Sequence, residues 1–245
     1  MNATAVGTIP LPSGSEDSVD KDAPPVLDRS ERHFLHRGVG PEFAMEVRWI
    51  MRQLRQSAGI VADIGCGNGV LISTNLQRRM IGVESNTAWI QNPNHASSPI
   101  LGAKAEHLPF ADNALGAAVM QHVIEHFADP IRVLRECRRV LKPDGYLLIV
   151  TPNAMFPDER VFEDETHRHI FRHDELGTVL KVAGFEVKEM RTLGLNWFTD
   201  RRKFPAGWRF RRIITDRAEV FSRIPLLRWR GQALCALAHK PVRPA

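Results

Sequence analysis

The chain is poor in cysteine and has no run of apolar residues long enough to cross a bilayer. Cys66, Cys137 and Cys235 are its three cysteines, odd in number and far apart. They form neither a disulfide framework nor the close pairs of a zinc site, so no metal is expected and a reducing cytoplasm is the expected compartment. The N-terminus lacks a basic region followed by an apolar run, so no secretory leader is expected. A helical membrane span would need about 20 apolar residues in succession, and no stretch approaches that. Residues 1–28 lack an apolar period and are rich in Ser, Pro, Gly, Asp and Ala, a composition that predicts disorder.

What remains, residues 29–245, is long enough for one well-buried α/β domain with a decorated end. The apolar fraction of 43% and charged fraction of 25% are those of an ordinary globular protein. The net charge of +5 hides a segregation: residues 201–245 carry 12 Lys/Arg against Asp216 and Glu219, a net of +10, which leaves −5 for everything before. Such a distribution points to an anionic partner or surface met by the C-terminal part.

The most informative stretch is Val61-Ala62-Asp63-Ile64-Gly65-Cys66-Gly67-Asn68-Gly69. A short apolar run ends in an acid and breaks into three alternate glycines, and a helix-compatible stretch begins at Val70. That pattern is a strand, a tight turn and a helix start, with bare backbone left for a ligand to approach. A dinucleotide-binding G-x-G-x-x-G turn would need glycine at 70, where Val70 stands. Arg79-Met80-Ile81-Gly82-Val83-Glu84 then reads as a second strand ending in a carboxylate, able to accept both hydroxyl protons of a ribose.

Alternating apolar segments and helical patterns continue down the chain. Strands are expected at about 60–64, 80–84, 99–103, 117–121, 146–151 and 185–191, with helices at about 41–56, 130–141 and 174–183. Lys142-Pro143-Asp144-Gly145 reads as a stop and turn before the fifth strand. Strands alternating with helices imply a mainly parallel sheet, with ligand groups at the carboxyl ends of its strands.

The glycine turn resembles motif I of the class I S-adenosylmethionine-dependent methyltransferases. Leu108-Pro109-Phe110-Ala111-Asp112, His122-Val123-Ile124-Glu125-His126-Phe127-Ala128-Asp129-Pro130 and Arg138-Arg139-Val140-Leu141-Lys142-Pro143-Asp144-Gly145 are similar to the small methyltransferase group that includes ubiquinone-type enzymes. The likeness covers about residues 58–190. It implies a Rossmann-like, seven-stranded, mostly parallel sheet with helices on both faces and an antiparallel last strand, which residues 232–241 resemble. It implies S-adenosyl-L-methionine as cofactor, bound by Asp63, Gly65, Cys66, Gly67, Gly69, Glu84, Ala105, Glu106, Gln121 and His122. Two positions depart from the family pattern. Lys104 stands where an Asp usually meets the adenine amino group, and Leu115-Gly116 stands where Phe-Asp usually opens strand 4.

Between the sixth strand and the last lies a segment of about 195–231, in which Trp197, Phe204, Trp208, Phe210 and Trp229 are interleaved with Arg201, Arg202, Arg209, Arg211 and Arg212. Strand order puts this basic, aromatic insert at the carboxyl edge of the sheet. Its mixture of Trp and Arg fits an anionic or lipid-linked acceptor and peripheral contact with an anionic membrane.

An oxygen nucleophile benefits from a base. His126 after strand 4, with His167 and His169 after strand 5, are the candidates, and Glu165-Thr166-His167-Arg168-His169 resembles the family's His segment at that place. The sequence therefore reads as a cytoplasmic methyltransferase acting on a small-molecule or lipid-linked acceptor, most simply on oxygen. Two alternatives stand beside it. Only the basic tail favours a nucleic-acid methyltransferase, and no RNA-binding module accompanies it. A methyltransferase-like binding protein without turnover is motivated by Lys104 and Gly116.

Overall fold

The computed structural model describes residues 41–73, 80–90, 99–157, 159–195 and 230–242. The expected disorder of residues 1–28 and nearly all of the insert lie outside the described residues.

Helix α1 (Pro41–Leu54) opens with proline, whose fixed φ suits the first helical position. The sheet and its connections follow: β1 (Val61–Ile64), α2 (Val70–Ser73), β2 (Met80–Glu84), α3 (Thr87–Ile90), β3 (Ile100–Gly102), β4 (Leu115–Gln121), α4 (Pro130–Val140), β5 (Leu141–Pro152), α5 (His173–Val182), β6 (Glu186–Leu195) and β7 (Gly231–His239). The strands form one seven-stranded sheet in the order β3-β2-β1-β4-β5-β7-β6. The pairs from β3 to β5 are parallel, and β7 runs antiparallel to both β5 and β6. The expected fold, with its antiparallel last strand, is the one observed.

Side-chain alternation divides the interior into two cores. Ala62, Ile64, Ala118, Met120, Leu147 and Ile149 face one side and meet Val133, Leu134, Cys137 and Val140 of α4 and Leu176 and Leu180 of α5. Val61, Ala117, Val119, Leu148 and Val150 face the other and meet Trp49, Ile50 and Leu54 of α1. A strand buried on both faces must be apolar at every position, which is why β4 and β5 read as near-continuous apolar runs. Each large side chain so buried contributes about 1.5–3 kcal/mol. Asp129 caps α4 by accepting from the Arg132 N–H, ahead of Pro130.

One boundary differs from the sequence reading. Residues 142–145 do not precede β5 but lie inside it as an outward excursion. Leu141 pairs with Leu115, and the register resumes only at Tyr146 opposite Ala117. Asp144, at φ 59°, lets the chain loop out, and its N–H donates to the Lys240 carbonyl, 2.9 Å away. The turn chemistry is as expected, but β7 recruits the turn into the sheet.

The strand order reverses between β1, which leads outward to β2 and β3, and β4, which leads the other way. The crevice above that switch point, at the carboxyl ends of β1 and β4, is where an open α/β sheet receives its ligand.

Candidate functional site

At the end of β1 the three glycines all take positive φ: 67° at Gly65, 49° at Gly67 and 68° at Gly69. Their reasons differ. A Cβ on Gly65 would stand 2.6 Å from Val123 Cγ2, so this residue lets the turn pack on the segment after β4. Among the described residues, a Cβ on Gly67 would meet nothing within 4 Å. The N–H groups of Gly65 and Cys66 both donate to the Val83 carbonyl, at 2.7 and 3.1 Å, tying the turn to β2.

Glu84 ends β2 beside this turn. Its Oε2 accepts the Gly67 N–H at 2.9 Å, and its Oε1 accepts the Ser85 and Asn86 N–H groups at 2.8 Å each. The carboxylate thus fixes the glycine turn, and an acceptor with about four lone-pair sites keeps capacity for hydroxyl donors. Asp63 is buried beneath the turn, where burial first, and then the charge of Glu84, push its carboxyl up to about 8. A cation bound nearby would favour its ionised form. The Cys66 thiol is pushed well up by burial and by the charges of Asp63 and Glu84, so it serves as a wall and not as a nucleophile.

Ala105 is buried and Glu106 half-buried just past β3, whereas Lys104 is exposed. Gly116 has a packing explanation. A Cβ there would fall 1.8 Å from the Ala58 carbonyl oxygen, because the α1–β1 connection crosses directly over it. It also lies at the amino end of β4, the opposite edge from the ligand crevice, so it bears on packing rather than on cofactor binding.

The segment after β4 gathers polar groups in a nearly dry place. His122 holds φ 56°, a conformation that costs a non-glycine residue of order 1–3 kcal/mol. Its N–H donates to the Val150 carbonyl at 2.7 Å, and its Nε2 lies 3.0 Å from Glu46 Oε2. Gln121 Nε2 donates to the same oxygen at 2.8 Å. Glu46, on the buried face of α1, therefore organises two of the residues assigned to the cofactor. Glu125, with 0% of its surface exposed, accepts the Thr151 hydroxyl at 2.9 Å. Burial alone would raise its carboxyl, but contact with His122 and the charges of His122 and His126 hold it low.

The three candidate bases separate. His126 and His167 come together with ring centroids 5.0 Å apart, whereas His169 stacks on Phe171 and turns to Glu175, 3.6 Å away. The His167 side chain is only 5% exposed; its Nδ1 donates to the Val161 carbonyl at 2.6 Å, and its Nε2 stands 3.6 Å from Asp164 Oδ2. The Thr166 hydroxyl joins His126 Nδ1, at 3.0 Å, to Asp164. The backbone N–H groups of Arg168 and His169 donate to the Glu125 carbonyl at 2.8 and 3.1 Å, which clamps the loop after β5 to the turn after β4. Glu46, Thr151, Asp164 and Thr166 escaped the sequence reading. The one signal for Glu46 was an acid on the apolar stripe of a helix.

Residues 62–149 match the family described as "Methyltransferase domain". A probable S-adenosylmethionine-dependent methyltransferase of Mycolicibacterium smegmatis is 31% identical over 141 residues, covering 55% of this chain and 54% of that protein. The chain thus spans about half the length of this relative. A ubiquinone biosynthesis O-methyltransferase of Pseudomonas entomophila is 27% identical, covering 65% of this chain and 78% of that protein. A probable tRNA methyltransferase 9B of Mus musculus is 29% identical, covering 57% and 33% respectively. A solved S-adenosylmethionine-dependent methyltransferase of Archaeoglobus fulgidus superposes with a TM-score of 0.57 at 21% identity, covering 79% of this chain and 94% of that one, a likeness of fold. Among the described residues, no helix is long and apolar enough to cross a membrane.

Proposed function

We propose that this chain, whose residues 62–149 match the family described as "Methyltransferase domain", is a class I S-adenosylmethionine-dependent methyltransferase that methylates an oxygen of a small-molecule or lipid-linked acceptor. One observation carries the reading: at the switch point the three-glycine turn is hydrogen-bonded to the Glu84 carboxylate, and none of the described residues occupies the Cβ position of Gly67. The residues fit the cofactor in two ways. The space in front of Gly67 admits a ligand against bare backbone. Asp63, whose carboxyl is raised by burial and by the charge of Glu84, suits a ligand that carries positive charge.

S-adenosyl-L-methionine, when bound, supplies a methyl carbon already activated by sulfonium charge. The chain's own residues then hold and align. Glu84 accepts from ribose hydroxyls, Ala105 and the half-buried Glu106 wall the base, and Gln121 and His122 are kept in place by Glu46. Alignment of this kind is positioning catalysis. The His126–His167 pair provides the base that takes the acceptor hydroxyl proton. A nucleic-acid acceptor is the weaker alternative, supported by the basic C-terminal composition and a tRNA-methyltransferase relative but by no recognition module in the chain.

Titration with S-adenosylhomocysteine tests the reading. Micromolar-range affinity is expected, and Asp63 should give it a pH signature. In the free chain Asp63 stays protonated until about pH 8. S-adenosylmethionine, whose sulfonium charge S-adenosylhomocysteine lacks, favours the ionised form, so its affinity should rise with pH toward about 8, by up to roughly tenfold per unit, with proton release on binding, and more steeply than that of S-adenosylhomocysteine. The same group lowers the free chain's stability as pH rises from about 4 through 8, because its folded pKa exceeds its unfolded one. Absence of S-adenosylhomocysteine binding across this range would sink the proposal.

The insert of about 195–231 is proposed to recognise an anionic group of the acceptor or an anionic membrane. Neutralising Arg209, Arg211 and Arg212 together should weaken binding to anionic vesicles, and the wild-type interaction should fade with added salt. Wild-type indifference to such vesicles, with normal acceptor turnover by the triple variant, would reduce the insert to a solvated cap.

A further inference from the structure

We propose that Glu125, His126 and His167 bind a divalent cation of the zinc type beside the ligand crevice. The site stands on its own donors; only its part in methyl transfer rests on the function proposed above.

One donor atom from each of the three residues lies within 4.8 Å of the other two. The surrounding hydrogen bonds fix both ring tautomers. The Thr166 hydroxyl has one proton and gives it to Asp164 Oδ1. His126 Nδ1, 3.0 Å from that hydroxyl oxygen, must therefore be the donor. His167 Nδ1, 2.6 Å from the Val161 carbonyl, must donate as well. The lone pair of each imidazole is thus on Nε2. A donor bond from one ring nitrogen to an oxygen, orienting the other nitrogen, is what outer partners impose on metal-binding histidines.

The third ligand is a carboxylate and rigidly placed. Glu125 is fully buried, and its Oε2 is held by the Thr151 hydroxyl. Its own carbonyl receives the N–H groups of Arg168 and His169, so the loop carrying His167 cannot drift from the turn carrying His126. Two imidazoles and one carboxylate suit zinc-type cations better than magnesium or calcium, and they leave a fourth position open. Tetrahedral ligands at ~2.1 Å from zinc lie about 3.4 Å apart, so binding draws the donors inward. His126, at the end of a single helical turn, is the more exposed of the two rings. Asp164, 3.6 Å from His167 Nε2, is the group that the cation displaces or recruits.

With the cation bound, the two rings would serve as its ligands in place of acting as the base, and an acceptor hydroxyl entering the open position would bind as its anion and release its proton to the buffer, since a bound cation lowers the pKa of a coordinated O–H. That would make oxygen, and not a basic amine, the preferred nucleophile. The sequence hid this arrangement because its ligands are split between the ends of two strands, 41 residues apart, with no paired spacing.

The test is titration of the chelator-stripped, tag-free full chain with Zn²⁺ alone and then Co²⁺. One cation per chain is expected, with a Co²⁺ visible spectrum of tetrahedral type. His126→Ala and His167→Ala should each weaken binding by roughly a hundredfold. Thr166→Val, which only removes an orienting bond, should weaken it by about tenfold, and His107→Ala, an exposed control, should leave it unchanged. Failure of the folded wild type to bind one equivalent, or wild-type affinity in the His126 and His167 variants, overturns the site. S-adenosylhomocysteine binding is measured on the same samples. Cofactor binding without zinc ends this inference alone, and zinc binding without cofactor ends the methyltransferase reading alone.

Discussion

Gly67→Val is expected to abolish S-adenosylhomocysteine binding while leaving a folded protein. The backbone at Gly67 has φ 49°, where a side chain costs about 1–2 kcal/mol, and more for a β-branched one. In a domain of this size that lowers Tm by roughly 2–8 °C. Among the described residues beyond its chain neighbours, none has an atom within 4 Å of the Cβ position, so none opposes the new side chain. The valine therefore occupies the space that a ligand lying against the turn must use. Gly65→Val would confuse the result, because its Cβ runs into Val123 at 2.6 Å and damages the fold itself. Glu84→Ala is the graded companion. Removing a carboxylate that accepts the Gly67 N–H, and that is proposed to accept from the ribose, should cost at least about 1.5 kcal/mol of binding, more than tenfold. Calorimetry beside circular dichroism checks both variants. A folded Gly67→Val that binds within a few-fold of wild type would remove the turn from the cofactor site.

The contrast between these glycines shows which parts of the site the sequence could reveal. Spacing within a strand–turn–helix unit is local, so Gly65, Gly67, Gly69 and Glu84 announce themselves within 20 residues, and β1 and β2 pair in parallel register as that unit demands. The switch point followed from the alternation of strands and helices, and so did the common edge of the turns after β1, β2, β4 and β5. Long-range pairings were silent. Glu46 reaches Gln121 and His122 from a helix 75 and 76 positions earlier, a contact that no periodicity encodes. His167 could be named but not ranked against His169, because their difference is made by Val161, Asp164 and Glu175 around them. Gly116 misled in the other direction. It departs from the family's pattern and so suggested lost turnover, yet the Ala58 carbonyl at 1.8 Å from its missing Cβ requires glycine there. A departure from a family pattern has a chemical meaning only after its packing is known.

His167→Ala should lower turnover on the true acceptor by roughly a hundredfold or more, with S-adenosylhomocysteine affinity unchanged. The glycine turn and Glu84, the proposed cofactor groups, lie at the ends of β1 and β2, whereas His167 lies beyond β5, so a loss confined to turnover separates chemistry from binding. The side chain is nearly closed off from solvent, and its Nδ1 is committed to the Val161 carbonyl, which aims Nε2 toward His126 and Asp164. His126→Ala should fall in the same direction, since the two rings share one cluster. The double variant should fall little further than either single one, as expected of residues that act as a unit. Multiplicative losses in the double variant would mean that the two rings work independently. Full activity of His167→Ala would clear this residue of the base role and leave His126, the more exposed ring, to carry it. If zinc occupies the cluster, the His167 variant should also lose its response to added zinc, whereas a residue acting only as a base would leave that response in place.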